Sequence, residues 1–267
     1  MGHPLPENAL FMNEDVREIL HNRIVIVLGD SIQRSVYKDL VCLYSEGDSR
    51  YLTDAELRRK GEDTFLKDVL LAGGKAEGKT NGIDYREVRE FRGNGSTRIR
   101  YYFITRCYNE YVESVLNELR ALGPDVIIIN STFWDIHLYG EQGKKQFQPN
   151  LSQLCRAVSW IPSKPLFIWS SALPLAKYCK GGFLRQGFKT LPLQDIVKAN
   201  QIAREVIESY PEFYYLDLFY NLPKYSIFEQ ATDGIHWGFK AHRKMSNSIL
   251  TVVCHHWKIC FPVVGEP

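Results

Sequence analysis

Apolar residues gather in short unbroken runs, separated by stretches where they recur every three or four positions. The runs at 24–28, 99–104, 126–129, 166–169 and 214–218 read as strands of a buried, mainly parallel sheet. Helical spacings at 32–43, 109–121, 151–158, 193–208 and 241–257 separate most of them. This alternation predicts an α/β fold, a three-layer α/β/α sandwich around a mainly parallel five-stranded sheet. No linker or repeat interrupts 1–267, which reads as one domain. The stretch 45–94 is different. It is polar and rich in Gly, Lys and Arg, and reads as a partly irregular, flap-like insertion beside the site.

In open sheets of this kind ligands bind beyond the carboxyl ends of the strands, so the residues that follow each run matter most. The first run, 24–28, breaks into Gly29-Asp30-Ser31, and the helical face Ile32, Val36, Leu40 and Leu43 follows. Ser31 therefore stands on a sharp strand-to-helix turn. Free backbone N–H groups and the positive end of the helix dipole favour developing negative charge there. A serine so placed is a candidate nucleophile, with Gly29 permitting the tight turn. Asp and Ser are also ordinary helix caps, and the tripeptide alone does not separate the two readings.

A base is supplied about 200 residues later by Asp233-Gly234-Ile235-His236-Trp237. A serine hydroxyl attacks well only if a neutral imidazole takes its proton. The imidazole in turn needs one tautomer, which a carboxylate on its far nitrogen enforces. A D-x-x-H turn can supply both groups from one short loop. The chain order Ser, Asp, His is the one used when nucleophile and base lie on the first and last turns of an α/β sheet. Taken singly, Asp233 could be a turn residue and His236 a surface histidine. Their coincidence with Ser31 favours the triad.

Together these segments resemble the SGNH/GDSL hydrolases, specifically the PC-esterase branch found in PC-esterase domain-containing proteins. The resemblance runs through most of the chain. It includes residues 25–32, Tyr85-Arg86-Glu87-Val88-Arg89, the block from Ile129 to Asp135, and the Asp233–Trp237 segment. It implies a catalytic Ser31 completed by Asp233 and His236, and it makes Asn130 the oxyanion-hole asparagine. Asn130 ends the third strand, where its amide and the Ser31 N–H could both donate to a tetrahedral intermediate, each worth ~3 kcal/mol. An Asn closing a strand is also an ordinary turn residue. The sequence departs from the usual G-x-N-D block here, since Thr132-Phe133-Trp134-Asp135 would set Trp134 where the asparagine belongs. The PC-esterase pattern selects Asn130. Gly73, Gly74, Gly93 and Gly95 all remain open as the second-block glycine.

The activity expected on this reading is hydrolysis of small O-acyl esters, O-acetyl foremost, through an acyl-enzyme and without a cofactor. Acyl transfer to an alcohol, with the same triad, is the near alternative. A non-catalytic interaction module on the same fold is the distant one. An acylated small molecule or glycan is the expected partner. Lys and Arg total 33 against 31 Asp and Glu, a net charge of +2 that gives no nucleic-acid-scale basic surface. Six cysteines without a C-x-x-C pair read as mostly reduced. The first twenty residues lack a signal-type apolar core, and no apolar run approaches ~18 residues, so a cytoplasmic or nuclear location is expected and no membrane.

Several residues compete for attention. Residues 73–80 fit the phosphate-loop expression G-x-x-x-x-G-K-[ST], but Asn81-Gly82 is a turn signal where that loop needs a helix. Asp135 and His137 form a second Asp/His pair, with Asp135 read as ordering its own loop and His137 as bordering the cleft. Asp217 reads as a structural acceptor at a strand end. His256 falls on the core-packing face of the last helix, and no ligand set for a metal accompanies it. Trp134 and Trp237 are read either as walls of a pocket or as buried packing.

Overall fold

A computed structural model describes residues 10–47, 50–74, 83–176, 179, 191–222 and 233–259. The phosphate-loop match lies mostly outside them, as does Cys260. The sheet is built from β1 (Ile24–Gly29), β2 (Val69–Gly73), β3 (Glu87–Arg92), β4 (Arg98–Phe103), β5 (Val126–Asn130), β6 (Leu166–Ser170) and β7 (Phe213–Leu216). Its order is β2-β3-β4-β1-β5-β6-β7. The five strands from β4 to β7 pair in parallel, as expected, whereas β2 and β3 add an antiparallel extension.

That extension comes from the stretch read as an irregular flap. β3 carries Glu87, Arg89, Glu90 and Arg92, a charge pattern that imitates a solvated surface. Three of these are buried, and each finds an opposite charge. Arg89 is bidentate on Asp68 at 2.8 and 2.9 Å, and Glu87 holds Arg34 at 2.8 Å. Lys38 pairs with Glu62, and Arg100 with Glu90 at 2.5 Å. Buried charge is tolerable only when paired in this way.

Helices cover both faces. α1 (Asn13–Ile19) and α2 (Ser31–Glu46) pack with α8 (Phe239–Trp257), while α4 (Glu110–Leu122), α5 (Gly140–Ser159) and α6 (Leu193–Glu208) form a second group. Short α3 (Asp54–Arg58) lies between β1 and β2 in the chain, and α7 (Leu218–Asn221) follows β7. Buried apolar side chains from β1, β5 and β6 form the centre of the core. α5 begins eleven residues before the expected 151, since Gly140, Gly143 and Pro149 obscure its period. Gly143 is needed there, because a Cβ would stand 2.2 Å from the Asp135 carbonyl oxygen. Asp135 belongs to a π-helical turn, Trp134–Leu138, that leads into α5. Among the described residues no helix is long and apolar enough to cross a membrane, and all five described cysteines are buried and free.

Candidate active site

The turn that carries Ser31 is held by two side chains, Asp30 and Tyr101. Asp30 is the N-cap of α2, and its buried carboxylate accepts the Ile32 N–H at 2.9 Å. Burial pushes that carboxyl above its ordinary pKa, against the pull of its backbone bonds. From β4, the Tyr101 hydroxyl lies 3.1 Å from the Gly29 carbonyl oxygen and 2.9 Å from that of Asp30. Ser31 is thereby the first residue of α2, where backbone N–H groups lack intrahelical acceptors.

The loop before α8 supplies the other two groups. Asp233 Oδ1 accepts the N–H groups of Ile235 (2.9 Å) and His236 (3.0 Å), so the carboxylate shapes its own turn. Its Oδ2 lies 2.6 Å from His236 Nδ1. His236 Nε2 lies 2.7 Å from Ser31 Oγ. Burial raises the Asp233 pKa, but the imidazole and two backbone donors outweigh it and bring the group down to about 2. An ionised carboxylate only accepts, so Nδ1 carries the proton and Nε2 faces the serine as an acceptor. Ser31, His236 and Asp233, read from segments about 200 residues apart, meet in one hydrogen-bonded line.

Asn130 lies one strand away, paired in register with Gly29. Its amide does not turn to Ser31. Nδ2 donates to the Ser170 carbonyl at 2.5 Å and to Thr132 Oγ1 at 3.2 Å, while Oδ1 accepts the Thr132 N–H at 3.1 Å. Both amide hydrogens are committed. Of the four candidate glycines, Gly93 and Gly95 precede β4 and so lie at the opposite edge of the sheet from Ser31. Gly73 and Gly74 share the correct edge but stand three strands from β1, roughly 14 Å away.

The competing residues take structural parts. Asp135 is fully buried, with Ser131 Oγ at 2.6 Å, the Cys107 N–H at 2.8 Å and the Arg106 guanidinium beside it. Burial lifts its pKa to about 6, in spite of those three donors. Asp217 is not the end of a strand but the N-cap of α7, accepting the Tyr220 N–H and pairing with Arg204. His256 is exposed rather than packed in the core, and among the described residues no cluster could hold a metal. Trp134 and Trp237 are both buried, with Trp134 edge-on to Phe103. The support that Tyr101 gives the turn before Ser31 was not visible in sequence, where it read as one residue of the apolar run 99–104.

No family model matches the chain. It is 40% identical over 263 residues to PC-esterase domain-containing protein 1A of Homo sapiens, covering 96% of this chain and 57% of that protein. The chain is a homologue of the PC-esterase domain-containing proteins. Protein 1B of Homo sapiens is 36% identical, with 96% of this chain and 61% of the relative covered. The chain thus spans about 60% of the length of these PC-esterase relatives. Among solved structures, a candidate platelet activating factor from Streptococcus pneumonia superposes with TM-score 0.52 at 18% identity, over 90% of both chains. A candidate GDSL-like lipase from Parabacteroides merdae gives TM-score 0.50 at 13% identity, over 87% of this chain and 96% of the other. Both likenesses are of fold.

Proposed function

We propose that the chain is a serine-dependent esterase that hydrolyses small O-acyl esters, O-acetyl esters foremost, through an acyl-enzyme. The observation that carries this reading is the line of contacts from Asp233 Oδ2 through the His236 ring to Ser31 Oγ, at 2.6 and 2.7 Å. These lie within the reach required for general-base activation. The homology to PC-esterase domain-containing proteins points the same way, and the acyl class rests on that resemblance.

In the first half-reaction Ser31 Oγ bonds to the acyl carbon while its proton passes to His236 Nε2. The carbonyl electron pair becomes the oxyanion, which accepts from the Ser31 N–H at the start of α2. Asn130 can act as a second donor only by releasing Thr132, the longer of its two amide bonds. Collapse breaks the bond to the alcohol oxygen, which leaves with the proton from His236. In the second half a water attacks the acyl carbon and gives its proton to His236. The carboxylic acid departs as that proton returns to Ser31 Oγ. Asp233 stays ionised throughout and stabilises the imidazolium.

Hydrolysis of 4-nitrophenyl acetate by the wild-type chain, set beside Ser31→Ala and Asp233→Asn, tests this. Turnover is expected to vanish in the first variant and to fall on the order of 10³-fold or more in the second. Turnover that survives Ser31→Ala overturns the mechanism.

A further inference from the structure

A cleft of about 530 Å³ opens at the same end of the sheet as Ser31, between the start of α4, the side of α5 and the segment entering β3. Its polar groups are unusually one-sided. Arg86 stacks 4.1 Å over the Tyr111 ring, and its Nη1 donates to the carbonyls of Ile83 and Tyr85, both at 2.8 Å. Its Nε and Nη2 have no partner among the described residues. Arg106 stacks 4.1 Å over Tyr139 and donates from Nη2 to Gln146 Oε1 at 2.9 Å, with its Nε toward buried Asp135 at 3.6 Å. Its Nη1 is left over.

Two amide oxygens beside these donors are already used. The Gln146 oxygen is taken by Arg106, which leaves its NH₂ group. The Asn109 oxygen caps α4 by accepting the Val112 N–H at 2.9 Å, which leaves another. Tyr111 Oη is buried without a hydrogen-bond partner. The single carboxylate lining the cleft, Glu110, is exposed to water. Asp135 balances part of the Arg106 charge from beneath, so the selectivity comes from the direction of the donors more than from net charge.

We infer that this cleft is a second ligand site, which takes an oxoanion group: a carboxylate, phosphate or sulfate carried by the ligand. Such groups are strong hydrogen-bond acceptors, and the free Nε–Nη2 edge of Arg86 and the Nη1 of Arg106, on guanidiniums held by aromatic stacking, can donate to them. The site does not depend on the esterase reading, because binding there requires no turnover.

Calorimetric titration of the full chain with sodium phosphate, sulfate and glucuronate, at constant ionic strength, tests the inference. Saturable binding of at least one anion is expected, with the preferred anion naming the group. Affinity should be about tenfold weaker in Arg86→Gln, which removes one charged donor. It should be weaker still in Gln146→Glu, which keeps the shape and partner of residue 146 but sets a carboxylate in the cleft. Ser31→Ala should bind like the wild type, so esterase failure and cleft failure are told apart. No saturable binding of any of the three anions to folded wild type overturns the inference, as does equal affinity in wild type and Arg86→Gln.

Discussion

No side chain fits between Gly29 and Asn130. A Cβ on Gly29 would stand 2.4 Å from the Asn130 carbonyl oxygen and 2.3 Å from Cγ of Gln33. The first obstacle is backbone of the neighbouring strand, which cannot swing aside as a surface side chain would. The glycine is therefore what lets β1 close against β5 immediately before Ser31. Gly29→Ala is expected to destabilise the chain by about 1–3 kcal/mol, the usual cost of overpacking. It should also displace Ser31, so that ester turnover falls further than the unfolded fraction explains. Thermal unfolding and kinetics on the same preparation check both parts.

The antiparallel extension depends on Asp68. Its carboxylate accepts from Arg89 Nε and Nη2, from the Tyr37 hydroxyl at 2.8 Å and from the Phe65 N–H at 2.5 Å. Asp68→Ala would leave Arg89 fully buried without its bidentate partner. A loss of about 3–5 kcal/mol is expected in urea unfolding. A loss below about 1 kcal/mol would mean that solvent reaches the pair.

Asp135 gives a pH signature. Its pKa is raised by burial to about 6, above the ordinary 3.8, so the native state binds the proton more tightly than the unfolded chain. Stability from this group is therefore greatest at low pH and declines as pH rises from about 4 to 6. Asp135→Asn has no such dependence. The stability of the variant minus that of the wild type should climb with pH across that window, by up to about 3 kcal/mol, and level off above it. Urea unfolding of both proteins from pH 4 to 8 reads this difference directly.

The parallel half of the fold was legible because its strands are buried on both faces, which forces continuous apolar runs such as Val126 to Ile129. The meeting of Ser31, Asp233 and His236 was legible for a different reason. Ser31 and His236 each stand on a turn whose local chemistry is written in neighbouring residues, Gly29 and Asp30 for one, Asp233 and Gly234 for the other. β3 was hidden because Glu87, Arg89 and Glu90 are buried through partners 10 to 53 positions away, such as Arg34 and Asp68. No local period encodes such pairing. The orientation of Asn130 was equally hidden, since Ser170, on the next strand, decides where the amide points.

The central claim is that Ser31 is an activated nucleophile, and the most direct measurement is covalent labelling with a fluorophosphonate probe followed by peptide mapping. A serine whose proton His236 can accept, in the presence of ionised Asp233, should be phosphonylated at Ser31 in the wild type. Labelling should be lost in Ser31→Ala and sharply slowed in His236→Ala. Folded wild type that resists the probe, or labelling that persists in Ser31→Ala, would contradict the account.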